Sequence, residues 1–444
     1  MVRKTVVAIS LWAVTAAAAL GQGLPTGAPE RAGMSAERLA RVTAMMKTFT
    51  DQGRLAGTVT LVARNGQVVY HEAAGKRDLE KNVPMTTDTL FRIASMSKAV
   101  TSVAVMMLVE EGRIHLDDPV SRFIPSFAKT TVVVPAPVGT PAAAMATAAG
   151  RAPAARPITI RHLLTHTAGV SYGSGNPFES DYRAASVIGW YFADKNEPIA
   201  TTIDRLAQLP MDSQPGDKYV YGFNTDILGV VVEKVSGQSL AEFFASRIFT
   251  PLKMTSTGFY VDPAQADRLA TVYGIAAAGA AIAKAPEPLT GQGNYVTGPR
   301  LSYSGGAGLV STASDYARFL QMLLNGGTLD GVRLLSPKTV ELMTANHVGS
   351  LYQAGTFGFG LGFEITEHVG RSGRPGSVGE FGWGGAYHTK FWVDPVEKLV
   401  VVFMTQLLPA AGSDAHATLR QLIYSAIVDK PDAKVMPAGV KIAS

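Results

Sequence analysis

Leu90-Phe91-Arg92-Ile93-Ala94-Ser95-Met96-Ser97-Lys98-Ala99-Val100 carries the chain from a short strand into a helix. From Met96 onward, Ala99, Val100, Val103, Met106, Met107 and Val109 leave almost no polar face, so a helix over 95–111 is expected to be buried on most sides. Gly112 follows as its C-terminal cap. Ser95 and Lys98 stand three residues apart, on one face and one turn from each other. A serine hydroxyl is a poor nucleophile until a base takes its proton. A lysine can be that base when burial or a nearby cation keeps it neutral. The helix N-terminus adds partial positive charge and free N–H groups where an oxyanion would form.

Upstream, Thr58 to Ala63 and Val68 to Tyr70 are β-rich runs separated by Arg64-Asn65-Gly66-Gln67. Asn-Gly between such runs signals a hairpin. Downstream, residues 131–157 are rich in Ala, Pro and Val and are expected to form a long surface excursion. A largely helical stretch reaches about residue 270, and residues 271–300 are again rich in Ala, Gly and Pro. Strands return at Ala386 to Val393 and Leu399 to Met404, around the turn Asp394-Pro395-Val396-Glu397, and a last amphipathic helix is expected over 414–428. The order strands, helical insertion, strands, helix predicts an α+β fold, an antiparallel sheet flanked by helices with an inserted helical subdomain. The expected division is a sheet domain of residues 22–115 and 300–430, a helical insertion of 116–299 and a tail of 431–444.

Composition narrows the function. The chain has 444 residues, 47% hydrophobic and 17% charged, enough for a substantial core. The formal charge of +5 is mild at this length, and no Lys/Arg-rich run suggests a nucleic-acid partner. Arg3-Lys4, the apolar stretch Thr5 to Leu20 and the small residues Ala19 and Gly21 resemble a signal peptide cleaved before Gln22, so export to a periplasm or the medium is expected. The apolar stretch is too short for a spanning helix, and stable membrane insertion is not expected. With no cysteine, the chain has no disulfide, no thiol nucleophile and no thiolate-bound zinc.

Further motifs give the Ser95–Lys98 pair its context. Leu116-Asp117-Asp118-Pro119-Val120, Ile160-Arg161-His162-Leu163-Leu164-Thr165-His166-Thr167-Ala168-Gly169, Pro251-Leu252-Lys253-Met254-Thr255 and Gly308-Leu309-Val310-Ser311-Thr312-Ala313-Ser314-Asp315 accompany it. Together these stretches resemble the serine β-lactamase and penicillin-binding-protein superfamily, in particular the class C-like branch that includes the family VIII carboxylesterases. The resemblance spans roughly residues 30–430. It implies a catalytic tyrosine, normally in Tyr-x-Asn. Counting from Pro215-Gly216 and to Leu228-Gly229 places Tyr221 there, with Phe223 at the usual Asn position and Asn224 one residue late. Such a phenol could relay the proton between Ser95 and the leaving group. The resemblance also implies that Trp383-Gly384-Gly385 replaces the Lys-Thr-Gly of the lactamases, and that the Ala386 and Ser95 N–H groups form the oxyanion hole. Trp383 then offers an apolar wall where a lactamase has a cation, favouring uncharged esters, although Lys390 and His388 nearby are able to restore charge.

Competing patterns are weaker. Ser126-Phe127-Ala128-Lys129 repeats the Ser-x-x-Lys spacing but runs into a β-rich stretch. Gly169-Val170-Ser171-Tyr172-Gly173 matches a nucleophile elbow but is followed by loop residues. His162 and His166 have zinc-ligand spacing without the glutamate a zincin needs, and Tyr219 is expected to be structural. The expectation is a cofactor-free, metal-free serine hydrolase acting on a small-molecule short-chain ester. It has Ser95, Lys98 and Tyr221 as catalytic residues, Ser95 and Ala386 as oxyanion hole, and Trp383, Gly384, Gly385 and Phe223 around the substrate. The same machinery in a β-lactamase, a D-amino-acid peptidase, an amidase or an acyltransferase, or a catalytically dead binding protein, are the alternatives.

Overall fold

A computed structural model describes residues 23–140, 148–286 and 291–429. The expected signal peptide and most of the tail lie outside the described residues. Eight strands form the main sheet: β1 (Gly57–Arg64), β2 (Gln67–Asp78), β3 (Val83–Pro84), β4 (Phe357–Phe359), β5 (Glu364–Thr366), β6 (Phe381–Gly384), β7 (Lys390–Asp394) and β8 (Leu399–Met404). Their spatial order is β4-β5-β6-β7-β8-β1-β2-β3, and every neighbouring pair is antiparallel. The fold is α+β, an antiparallel sheet with helices on both faces.

The expected hairpin joins β1 to β2, with Asn65 and Gly66 at φ of 53° and 76°, left-handed values that Asn and Gly tolerate best. At the centre, β8 pairs with β1, Val59 opposite Met404 and Arg64 opposite Leu399. Alternate residues of these strands serve two cores. Val59, Leu61, Val400 and Val402 face the core shared with α2 (Ser97–Glu110) and α4 (Ala313–Leu324). Val62, Val401 and Phe403 face the core shared with α1 (Ala36–Asp51) and α5 (Ala415–Ser425). Side chains that alternate between two covered faces make a central strand read as a continuous apolar run. The helix α2 is buried from Ser97 to Leu108, as its lack of a polar face requires, and it packs against α3 (Asn224–Ser236).

Several boundaries differ from the expectation. Ser95 lies in a 3₁₀ turn, Ala94–Met96, ahead of α2 and not inside it. The strand Phe91–Arg92 forms, but it pairs with Val310–Ser311 apart from the main sheet. The strand expected from Ala386 starts at Lys390, because residues 385–389 turn between β6 and β7. The Ala/Pro-rich excursion contains an antiparallel pair, Thr131–Val134 with Gly150–Pro153. Tyr273–Ile275 joins a three-stranded sheet with Leu407–Ala410 and Ala283–Lys284.

Candidate active site

The segment before Ser95 is fixed from two directions. The Gln406 side chain, just beyond β8, accepts from the Arg92 N–H (3.1 Å) and donates to the Arg92 carbonyl (3.0 Å). The Ile93 N–H donates to the Leu309 carbonyl (3.0 Å), and the Leu309 N–H donates to Ser97 Oγ (3.0 Å). From α4, the Tyr316 hydroxyl donates to the Met96 carbonyl (2.8 Å). Held this way, Ala94 takes φ = 40°, an unfavourable value for a residue with a Cβ, and the turn presents Ser95 at the cleft.

Lys98, 1% exposed, reaches back along the helix. Its Nζ donates to the Gly306 carbonyl (2.8 Å), the Tyr172 hydroxyl (3.0 Å) and Ser95 Oγ (3.3 Å). It also lies 4.6 Å from the centre of the Tyr221 ring. Burial alone would push the Lys98 ammonium down, but Tyr172, Tyr221 and the nearby Asp226 carboxylate outweigh burial and hold it above the ordinary lysine value. Asp226 in turn accepts from Ser304 Oγ (2.5 Å) and the Gly306 N–H (3.0 Å), so the peptide that receives the ammonium is itself anchored on α3. Gly306 has to be glycine, since a Cβ there would lie 2.4 Å from Asp226 Oδ2.

The Trp383 indole N–H at the end of β6 donates to the Tyr221 hydroxyl (3.1 Å), and the two rings lie 5.5 Å apart. Tyr221 makes no hydrogen bond to Ser95. Beyond Trp383 the chain crosses directly over the segment before the nucleophile: a Cβ on Gly385 would stand 2.3 Å from the Ile93 carbonyl oxygen. Only glycine permits that approach, and it brings Ala386 to the mouth of the cleft beside Ser95. The turn is closed by the Gly385 N–H donating to the Thr389 carbonyl (2.9 Å) and the His388 N–H donating to the Gly385 carbonyl (2.9 Å).

The cleft has a volume of about 460 Å³ and brings together Ser95, Tyr221, Trp383, Gly384 and Ala386. Phe223 is a correction. It is fully buried and meets Tyr172 edge-on at 5.0 Å, so it supports the cleft wall from behind and does not face substrate. Asn224 is structural too, donating to the Val170 and Val220 carbonyls (3.0 and 3.1 Å), and Lys98 finds its acceptors in Tyr172 and Gly306. Tyr172, Trp190, Tyr352 and Glu364 also line the cleft, and the sequence reading missed all four. Tyr172 alone carried a signal, being next to Ser171 in the Gly-x-Ser-x-Gly pattern.

The competing motifs fall elsewhere. Ser126 Oγ donates to Asp204 (2.7 Å) and Ser171 Oγ to Asp212 (2.9 Å). His162 Nδ1 accepts from the Thr159 N–H as part of a helix cap (3.2 Å). His166 is buried among Tyr219, Tyr221 and Phe359. His388 is turned away from the cleft, stacked on His416 at 3.9 Å and bonded to Ser413 Oγ (2.9 Å). Among the described residues no cluster of His, Asp and Glu could hold a metal ion.

The β-lactamase family model matches residues 42–425, a span that contains the cleft and all its lining residues. The chain belongs to the beta-lactamase family. Within that family it is 35% identical to Protein Rv1367c of Mycobacterium tuberculosis over 394 residues, covering 85% of this chain and 92% of that protein. It is 31% identical to Esterase EstB of Burkholderia gladioli over 417 residues, covering 88% and 96%. The solved structure of EstCE1, a hydrolase with promiscuous acyltransferase activity, superposes with a TM-score of 0.74 at 30% identity and covers 87% of this chain and 98% of that one. These beta-lactamase-family relatives make this a serine hydrolase fold whose members include esterases and acyltransferases. Among the described residues no helix is long and apolar enough to cross a membrane.

Proposed function

We propose that the protein hydrolyses short-chain carboxylic esters through an acyl-enzyme on Ser95. The observation that carries this is the convergence of a buried Lys98 ammonium on Ser95 Oγ, with Tyr221 held over that ammonium by the Trp383 indole. Ser95 Oγ attacks the ester carbonyl and gives up its proton to the Tyr221–Lys98 pair. With Lys98 charged, Tyr221 takes that proton as its phenolate and becomes the phenol. The ammonium lies 4.6 Å from the centre of the Tyr221 ring and the Trp383 indole N–H donates to its oxygen, so both stabilise the anionic form. The Ser95 and Ala386 N–H groups receive the carbonyl oxyanion. Tyr221 then protonates the leaving alcohol, and water attacks the acyl-enzyme by the same route in reverse. No cofactor is required.

Trp383 supports esters over lactams as substrates, since it fills the position where the resemblance expects a lactam-binding cation. The decisive test compares a p-nitrophenyl butyrate assay with a chromogenic cephalosporin on wild type and Ser95→Ala, with intact-mass spectrometry of the quenched reaction. Fast ester turnover, slow lactam cleavage and an acyl adduct of the wild type alone are expected. Ester turnover surviving in Ser95→Ala would overturn the nucleophile, and lactam cleavage of equal efficiency would move the assignment to a β-lactamase. The promiscuous acyltransferase activity of EstCE1 supports a second use of the same acyl-enzyme, transfer to an alcohol in place of water; ester exchange in the presence of a small alcohol tests it. Export is proposed from the Arg3–Gly21 segment, and N-terminal sequencing of the secreted form should begin at Gln22.

A further inference from the structure

The turn between β6 and β7 carries the Ala386 N–H, and its shape is set from outside the cleft. Gly385 and Ala386 share one trans peptide, so the Gly385 carbonyl and the Ala386 N–H point in opposite directions. The carbonyl accepts from the His388 N–H (2.9 Å) inside the turn. The Ala386 N–H therefore faces out of the turn, where Ala386 lines the cleft. Whatever fixes the His388 backbone fixes the direction of that donor.

His388 has φ = 65°, a left-handed value. A residue with a Cβ keeps such a conformation where its surroundings over-determine it. Two contacts do so here, and both come from the start of α5. His416 Nε2 meets the His388 carbonyl at 3.0 Å, and because a carbonyl only accepts, the imidazole proton sits on that nitrogen. The His388 ring lies on the His416 ring at 3.9 Å with 16° between their planes, and its Nε2 bonds to Ser413 Oγ (2.9 Å). His416 is seated edge-on against Phe403 of β8 at 5.7 Å. On the other side of the turn, Tyr387 is buried and its carbonyl accepts from the Leu407 N–H (3.0 Å). Neither imidazole is among the residues that line the cleft.

We propose that His416 is a positioning residue of the oxyanion hole: through the carbonyl and ring of His388 it holds the turn in which the Gly385–Ala386 peptide presents its N–H to the cleft. This rests on the role given to Ala386 in the esterase function proposed above. His416 stands outside the cleft, so its effect falls on the tetrahedral intermediate, whose oxyanion needs the donor, and not on ground-state binding.

The test follows p-nitrophenyl butyrate hydrolysis and inhibition by butylboronic acid, whose tetrahedral adduct with Ser95 puts an oxygen where the oxyanion forms. His416→Ala should lower kcat/KM by about tenfold or more, through kcat, and weaken boronate inhibition by a similar factor. His416→Gln, which can offer an amide N–H to the same carbonyl, should stay within about threefold of wild type. Three results overturn the proposal: a His416→Ala enzyme within twofold of wild type, an equal loss in both variants, or a loss of kcat/KM with boronate inhibition unchanged. A lower melting temperature without these changes is what a merely structural residue would give, and overturns it too. If His416→Ala does not fold, Ser413→Ala replaces it, since it frees only the His388 ring. There kcat/KM and boronate affinity should fall together by about threefold, and unchanged values overturn the proposal.

The boronate also separates the two proposals, because its binding is read independently as a rise in melting temperature. If wild type cleaves no ester, the esterase function fails, while a boronate shift that is smaller in His416→Ala still upholds the positioning role. An equal shift in both proteins, or none in wild type, overturns it.

Discussion

Tyr172→Phe removes one hydroxyl that the sequence reading passed over. That oxygen accepts from Lys98 Nζ at 3.0 Å, one of three acceptors around a buried ammonium. Hydrogen bonds to charged groups contribute about 1.5–3 kcal/mol, and about 1.4 kcal/mol corresponds to a factor of ten in rate. The loss expected in kcat is therefore roughly ten- to hundredfold, with the fold intact because the ring and its edge contact with Phe223 remain. The pH profile is the sharper readout. Tyr172 is the foremost of the groups that raise Lys98 against the effect of burial, so removing its oxygen lowers the lysine. If the charged lysine is the active form, the wild type shows no lysine limb up to pH 10, and the variant gains an alkaline limb as its lysine comes down. If a neutral lysine were the base, the acid limb would move to lower pH and activity near neutrality would rise. Stopped-flow kcat/KM from pH 5 to 10 on both proteins distinguishes these, and a faster variant at pH 7 would refute the charged-lysine mechanism.

Other consequences are open to measurement. Gly385→Ala places a methyl 2.3 Å from the Ile93 carbonyl oxygen, so the Ala386 amide should shift and kcat should fall at least about tenfold, in line with the loss of one oxyanion donor; a near-normal kcat would place the oxyanion hole elsewhere. Phe223→Ala should lower stability by about 3–5 kcal/mol in chemical denaturation, whereas a residue facing substrate would mainly change KM. His388 and His416 are pushed down by burial to about 4 and about 3. The unfolded chain binds these protons first, so stability should fall as pH drops from about 6.5 toward 4, by about 1.4 kcal/mol per group and pH unit. A melting temperature that stays flat over this range, or imidazole resonances titrating near 6.5, would contradict the buried stack.

The architecture was legible where residues announce backbone chemistry. Asn65-Gly66 specified the hairpin, the lack of a polar face on α2 specified its burial, and Ser95-x-x-Lys98 pointed to the cleft. What escaped was positional. A run from Ala386 looks like a strand because Tyr, Thr, Phe, Trp and Val suit one. The turn exists because Gly385 has to cross Ile93, a contact between distant segments that leaves no local trace. Phe223 looked like a lining residue because the count from Pro215-Gly216 fixes order along the chain, and depth depends on how Tyr172 packs over it. Tyr352 reaches the cleft from a loop and Glu364 from a three-residue strand, with no periodicity to read.

The pairing of β1 with β8 joins residues some 340 positions apart, Val59 with Met404. Gln406, which holds the peptide ahead of the nucleophile, lies two residues farther on. Contacts this remote are made late and slowly, after the entropy of closing a long loop has been overcome. A chain still emerging from synthesis, with its first 390 residues complete, therefore contains the nucleophile, the lysine and the tyrosine but cannot yet hold them together. The site is complete only when β8 has entered the middle of the sheet, so the chemistry of this fold is withheld from every incomplete chain.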